Sequence, residues 1–318
     1  MRTSILAALS MGLAFTQPLA AQDYPTRPIN IVVPYNPGGV TDLTARTLAE
    51  SMQERLGQPV VVLNRPGGNA AIGVGVVAGA QPDGYTILMA TSAEAAVAPA
   101  LRDDLPYDMD TDLVPITLIN ETPIVVIASL ESGFETIGDL VAAGQEDEIA
   151  FSSASVGSSH HILGEAIGFE TGADFLHIAY QGGNPAATAV ASGEIDFGVI
   201  TITTVVQMIE SGSVVPLAVA SAERVDALPD VPTLIESGIE QTASIWIGLY
   251  APAGTPDEIV TTLNEAMRDV LAEPAIAERF AQSGGIPMWS TPEGLTEHRR
   301  ADTERARRVI EAAGITVD

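Results

Sequence analysis

The sequence predicts an α/β protein of two lobes, and three observations predict it. Short β-branched runs alternate with segments of helical periodicity, the mark of βαβ units around largely parallel sheets. A second series of the same kind begins after about residue 121. The chain then finishes with a strand and helices that return to the first series. Two crossings, near residues 121 and 220, place one lobe at 22–121 with 221–318 and the other at 122–220. Two α/β domains joined by a two-segment hinge, with a ligand cleft between them, follow from that count. One continuous α/β domain is the alternative.

In the first series Ile29–Val33 reads as a buried strand. Ala45, Leu48, Ala49, Met52 and Leu56 recur at helical spacing, and Gly57 closes the helix. Val60–Leu63 is the next strand, Ala70–Ala78 a small-residue helix, and Tyr85–Ala90 a third strand after the Pro82-Asp83-Gly84 turn. In the second series Ile124–Ala128, Ile149–Ser152, Phe175–Ala179, Ile195–Ile200 and Val215–Ala220 are strands, with helices near 136–143, 160–168, 185–192 and 203–211 between them. Thr136 with Asp139 resembles a capping box. In the return, Ile245–Ala251 is a strand. Thr255-Pro256-Asp257-Glu258 starts a helix with Thr255 as its cap, and Thr291-Pro292 starts a last helix that ends at Gly314.

The N-terminus reads as an export signal. Arg2 is the positive end, Ile5 to Phe15 a short apolar run, and Leu19-Ala20-Ala21 the small residues that precede cleavage, so residues 1–21 are excluded from the fold. No later run is long and apolar enough to span a bilayer. Of 318 residues 41 are acidic and 14 basic, a net charge of −27; every basic residue is Arg. Such a surface repels nucleic acid and anionic lipid. There is no Cys and there are four His, which leaves neither a disulfide framework nor a His-rich metal site to expect.

The polar turns sit where strands end. Tyr35-Asn36-Pro37-Gly38-Gly39-Val40-Thr41-Asp42 is a strand–loop–helix junction with the helix starting at Thr41 or Asp42. Glycines allow close backbone approach, and a helix start offers unpaired N–H groups with a partial positive charge; together they make an anion site that needs no Lys. An ordinary junction with Asp42 as the helix cap is the equal alternative. Thr91-Ser92, Ser155 to His160 (with Gly157 and Ser158), Gln181 to Pro185, and Thr201 to Thr204 follow other strands on the same side of their sheets. Ligands of open α/β sheets bind beyond that edge. Catalysis is not favoured. There is no Gly-x-Ser-x-Gly elbow, and Ser158 and His160 are not poised by their spacing. Gly73-Val74-Gly75 lies inside a helix, so it reads as close packing rather than a dinucleotide loop. His160-His161 lacks further metal ligands. Arg299, Arg300, Arg305, Arg307 and Arg308 read as the solvated face of the last helix.

The chain also resembles a known family, the periplasmic binding components of tripartite tricarboxylate transporters (Bug proteins), from about Tyr24 to Ile315. The markers are Tyr24-Pro25, Val33-Pro34 through Gly38-Gly39 to Thr41-Asp42, Asn64-Arg65-Pro66-Gly67, Pro82-Asp83-Gly84-Tyr85-Thr86, Gly157-Ser158 with His160, Tyr180-Gln181-Gly182-Gly183, and Ala251-Pro252-Ala253-Gly254-Thr255-Pro256. The resemblance implies a two-lobed binding protein of the type II periplasmic class, without metal or cofactor, monomeric, delivering a small carboxylate to a two-subunit inner-membrane permease. It also implies that Gly38, Gly39, Thr41 and Asp42, then Thr91 and Ser92, and from the facing lobe Ser155, Gly157, Ser158 and His160 line the ligand. Thr201 and Thr203 fall on the family's variable wall. Asn36, Glu94 and Thr201-Ile202-Thr203 depart from the family's usual residues; Glu94 either faces the cleft, where it would disfavour a second carboxylate, or lies out in solvent. A ligand sensor for a two-component receptor, or an enzyme acting on a carboxylate in the same cleft, are the other readings.

Overall fold

The computed structural model describes residues 24–282 and 285–316, so the expected export signal lies outside the described residues. The first series is β1 (Ile29–Val33), α1 (Val40–Leu56), β2 (Val60–Asn64), α2 (Ala71–Ala78) and β3 (Thr86–Thr91). A π-helical turn, Ala93–Val97, then runs into α3 (Ala98–Leu101). Next come β4 (Leu113–Ala128), α4 (Ile137–Gly144), β5 (Ile149–Ser153), α5 (Ser159–Thr171), β6 (Phe175–Ala179), α6 (Gly183–Ala191), β7 (Phe197–Thr201), α7 (Ile202–Glu210) and β8 (Val215–Val219). The return is β9 (Ser244–Pro252), α8 (Asp257–Leu271), α9 (Pro274–Gln282), β10 (Ile286–Pro287) and α10 (Pro292–Ala313).

The strands run in the order β2-β1-β3-β9-β4-β7-β5-β6, with β8 and β10 also on β4. β1–β3 are parallel, as are β5–β7, while β9 and β4 are antiparallel to their neighbours. Parallel strands are buried on both faces, which is why β3 is apolar from Ile87 to Ala90 and β1 is apolar save for the half-buried Asn30. Ile29, Ile31 and Val33 join Leu48 and Met52 of α1 and Leu263, Met267 and Val270 of α8 on one face. On the other face Val32 and Leu88 meet Val74 and Val77 of α2, Trp246, Tyr250 and Leu295.

Strand β4 carries both lobes. Its first part pairs with β9, from Leu113↔Pro252 to Pro123↔Ser244, with two register shifts. Its last part pairs with β7 and β8. There the strand alternates by the pleat: Ile124, Val126 and Ala128 join one core with Phe151, Leu163 and Phe197. Val125 and Ile127 join the opposite core with Val190, Ile200 and Val205. Only Ile124–Ala128 of this strand was expected, because Pro115 and Pro123 interrupt the pattern upstream. The segment after 220, assigned in the sequence to the first lobe, sends Leu234 and Ile239 into the core of the second.

Local signals fare well. Thr136 and Asp139 form the capping box, Thr291 Oγ1 accepts from the Gly294 N–H, and Gly314 closes α10 at φ 63°. A Cβ on Gly73 would sit 2.6 Å from Pro34 and 2.8 Å from the Arg65 carbonyl, so close packing explains that glycine. Two expectations fail. Pro256, not Thr255, occupies the cap of α8, since Thr255 Oγ1 turns back to the Pro252 carbonyl. Arg299 is buried rather than solvated, held by Asp110, which also receives Arg300. A partner so distant in sequence leaves no local signal.

Candidate functional site

The first junction is organised from beneath by Asp42. Helix α1 begins one residue earlier than expected, with Gly39 at its cap (φ −76°) and Asp42 at its third position. Asp42 is therefore not the cap. Its carboxylate accepts from the Gly38 N–H at 2.9 Å, from Arg46 Nε at 3.0 Å and from Asn64 Nδ2 at 3.0 Å. Asn64 Nδ2 also donates to the Tyr35 carbonyl, so one buried carboxylate ties both ends of the loop to β2. The Arg46 guanidinium first, then the Gly38 amide and Asn64, holds Asp42 down at about 2 despite its burial. Gly38 is the residue at positive φ (87°), so it carries the turn. Asn36, Gly38 and Gly39 are exposed, while Thr41 is buried.

Behind that loop is a buried triangle. Tyr35 Oη donates to Glu94 Oε2 at 2.5 Å and lies 3.0 Å from Thr91 Oγ1. Glu94 also accepts from the Thr91 N–H at 2.6 Å and Thr91 Oγ1 at 2.7 Å. Its residue is 1% exposed, so it is neither surface decoration nor an open cleft wall. Burial raises the Glu94 carboxyl against the pull of these donors, and burial next to Glu94 lifts Tyr35 well above the ordinary phenol. The triangle pins the end of β1 to the end of β3.

The second junction repeats the backbone geometry. Gly157 stands at φ 71°, Ser158 caps α5 in an extended conformation, and the Gly157 N–H donates to a side chain four residues on, His161 Nδ1, at 3.0 Å. Ser158 Oγ donates to the Ser155 carbonyl at 2.8 Å and accepts from the His161 N–H. Beneath, His161 stacks on His177 with centroids 3.6 Å apart, and His177 Nε2 meets Ser153 Oγ at 2.6 Å. His160 is buried with neither ring nitrogen partnered, and burial lowers it to about 4. Ser92 Oγ and Ser159 Oγ are likewise buried and unpartnered. Thr201 Oγ1 bonds Thr204 Oγ1 at 3.1 Å, and Thr203 is half-buried beside it.

The expected residues thus fall into sets on the two lobes: Tyr35, Thr91 and Glu94 with Gly38 and Asp42, and Ser155, Gly157 and Ser158 with His161. Among the described residues no hydrogen bond joins one lobe's set to the other's. Arg46, Asn64, His161 and His177 are the supports that the sequence reading left out. The i, i+4 spacing of Gly38 with Asp42 and of Gly157 with His161 was the available signal. Ser158 is committed to Ser155, so it makes no nucleophile–base pair with His160. Ser153 and His177 do bond, but Ser153 Oγ lies beneath the loop in a residue of zero exposure. Among the described residues no group of three or more His, Cys, Asp or Glu is placed to hold a metal ion, and no helix is long and apolar enough to cross a membrane.

Residues 44–315 match the family described as the tripartite tricarboxylate transporter family receptor. The chain is 34% identical to protein BugT of Bordetella pertussis, over 98% of each chain. It resembles a solved R. palustris protein, Rpa4515, with adipate (29% identity, TM-score 0.79, 92% of this chain and 99% of that one). It also resembles MatC of Rhodopseudomonas palustris with bound malate (27% identity, TM-score 0.74, 90% and 100%). Two-lobed architecture, paired junctions and full-length likeness agree: the chain belongs to the tripartite tricarboxylate transporter receptor family of solute-binding proteins.

Proposed function

We propose that this protein captures a small carboxylate in the periplasm, between its two strand–loop–helix junctions, and passes it to a two-subunit tripartite tricarboxylate transporter permease. The observation that carries this reading is the pairing of junctions. Each lobe turns on a positive-φ glycine and then presents the start of a long helix, α1 or α5, where amides and the helix dipole favour an anion. The relatives bound to adipate and malate support a carboxylate as the ligand. The unpartnered Ser159 and His160 at the start of α5, and Ser92 at the end of β3, support a polar ligand near these loops. Closure about β4 and β9, which run through both lobes, brings the second lobe's donors onto a carboxylate already held by the first.

The test is a thermal-shift screen of the mature chain against adipate, malate, aromatic acids and acidic amino acids. A ligand that binds the native state alone raises its apparent stability. A flat response across the panel overturns the carboxylate reading. The loop is tested by Gly39→Val. Gly39 has negative φ and only the Asn36 carbonyl at 3.8 Å from a built Cβ, so the variant folds while its side chain covers the helix start. Binding falls by at least about tenfold. Wild-type affinity in the folded variant removes this loop from the site.

A further inference from the structure

The loop Ser155–Ser158 rests on two imidazoles. Ser153 Oγ donates to the Ser155 carbonyl at 3.1 Å, so towards His177 Nε2 it accepts, and His177 carries its proton on Nε2. His161 accepts the Gly157 N–H on Nδ1, so its proton is on Nε2, 3.4 Å from Glu165 Oε1. One ring therefore supports each end of the turn: His161, which accepts, does so only in the neutral form, whereas His177 donates from Nε2 whether or not its other nitrogen carries a proton. The rings stack at 3.6 Å and 15°, so a proton on one opposes a proton on the other.

The groups facing His161 decide which ring takes a proton. Glu165 on its own helix places a carboxylate oxygen 3.4 Å from His161 Nε2. From β6 comes His177, which burial, and then His161, lowers to about 4. From β5 comes the ring of Phe151, backed by Phe197 of β7. Asp139 of α4 is committed to capping its own helix. His161 is the ring with an anion beside it, and a second proton there converts Nδ1 from acceptor to donor. Two donors would then face each other across the 3.0 Å from Gly157.

We propose that His161 is a positioning residue: neutral, it holds Ser155–Ser158 in the ligand-facing conformation, and on protonation it releases that loop, so that carboxylate binding weakens in acid. The effect on binding rests on the assignment of this loop to the ligand site; the effect on the loop does not.

The test has two arms. In the ligand-free protein, NMR follows the His161 ring and the Gly157 amide from about pH 8 to pH 5, the range in which histidine changes charge. The Gly157 amide should move with the ring in wild type and stay flat in His161→Asn, which keeps an acceptor on its δ atom but cannot titrate. A Gly157 amide indifferent to the His161 ring in wild type overturns the proposal with no ligand involved. In the second arm adipate and malate are titrated at both ends of this range. The wild-type loss in acid should exceed that of His161→Asn by about tenfold, the scale of one hydrogen bond; the variant subtracts titration of the acids themselves. If Gly157 follows His161 but both proteins lose affinity equally, the binding half falls, and the failure lies in placing the carboxylate against this loop.

Discussion

The two junctions meet the same backbone requirement with different chemistry. In each, a positive-φ glycine sends its N–H to a side chain four residues on, at 2.9 Å in the first lobe and 3.0 Å in the second. In the first lobe the acceptor is a carboxylate clamped by Arg46 and Asn64, ionised down to about pH 2. In the second it is an imidazole stacked on another imidazole, beside a third that is buried without partners. Geometry alone does not determine how a loop responds to its medium. A clamped carboxylate leaves the first junction indifferent to mild acid, whereas His161, as proposed above, makes the second responsive to it.

The largest expected effect separates the two lobes by pH. His160 is at about 4 when folded and at its ordinary 6.5 when unfolded. Between these values the unfolded chain binds the proton and the folded chain does not, so stability falls as pH falls through this window. The loss is on the order of 3 kcal/mol by linkage. Urea denaturation at pH 7 and pH 4.5 should show this slope in wild type and a flatter one in His160→Gln. Equal slopes would mean that the buried His160 does not carry this acid sensitivity.

Asp42→Ala comes next. It strands the Gly38 amide and loosens Asn64, and should cost about 2 kcal/mol in urea melts at pH 7. The folded value of Asp42 is depressed, so its stabilisation is complete above the ordinary 3.8 and is lost as pH falls towards 2. The wild-type advantage over Asp42→Ala should therefore be level from pH 7 to about 5. An advantage that decays within that range would erase the contrast between the two junctions.

A smaller effect distinguishes neighbours. Gly38→Ala places a side chain at φ 87° and should cost about 1 kcal/mol, whereas Gly39→Ala, at φ −76° with room for its Cβ, should stay within about 0.5 kcal/mol. Thermal melts of both variants decide it. Glu94 supplies a contrast of sign alone, opposite to that of His160. Its folded value is raised, so its stabilisation is full at low pH and is lost as pH rises through that value. Compared with Glu94→Gln, wild type should gain stability as pH falls.

The strand and helix periods, the capping box at Thr136 and the stop at Gly314 were legible because each is decided by residues within one turn or one pleat. The first half of β4 was not, because two prolines and two register shifts break its alternation. The alternative with Asp42 as a cap fails because Gly39 takes that position, which frees the Asp42 carboxylate to organise the loop. For Glu94 the sequence left two outcomes, cleft or solvent. Burial under Tyr35 is a third, and it depends on a contact 59 residues away. The π-helical turn that carries Glu94 has no signature at all in Ala93-Glu94-Ala95-Ala96-Val97.

The position of β9 between β3 and β4 governs the order in which the protein can be finished during its making. A chain produced from its N-terminus has all the sheet strands of the second lobe by Val219. At that moment β3, apolar on both faces, still lacks the neighbour that pairs Leu88–Thr91 with Ile247–Tyr250. The second lobe is ready first, and the newly made molecule trails an unfinished sheet with an open apolar edge. A chain stopped at residue 243 should protect the amides of β5–β7 from exchange and leave those of β1–β3 open. Protection of both would mean that β3 does not need β9. The edge left open in that interval belongs to residues 86–91, and the arrival of Ser244–Pro252 covers it.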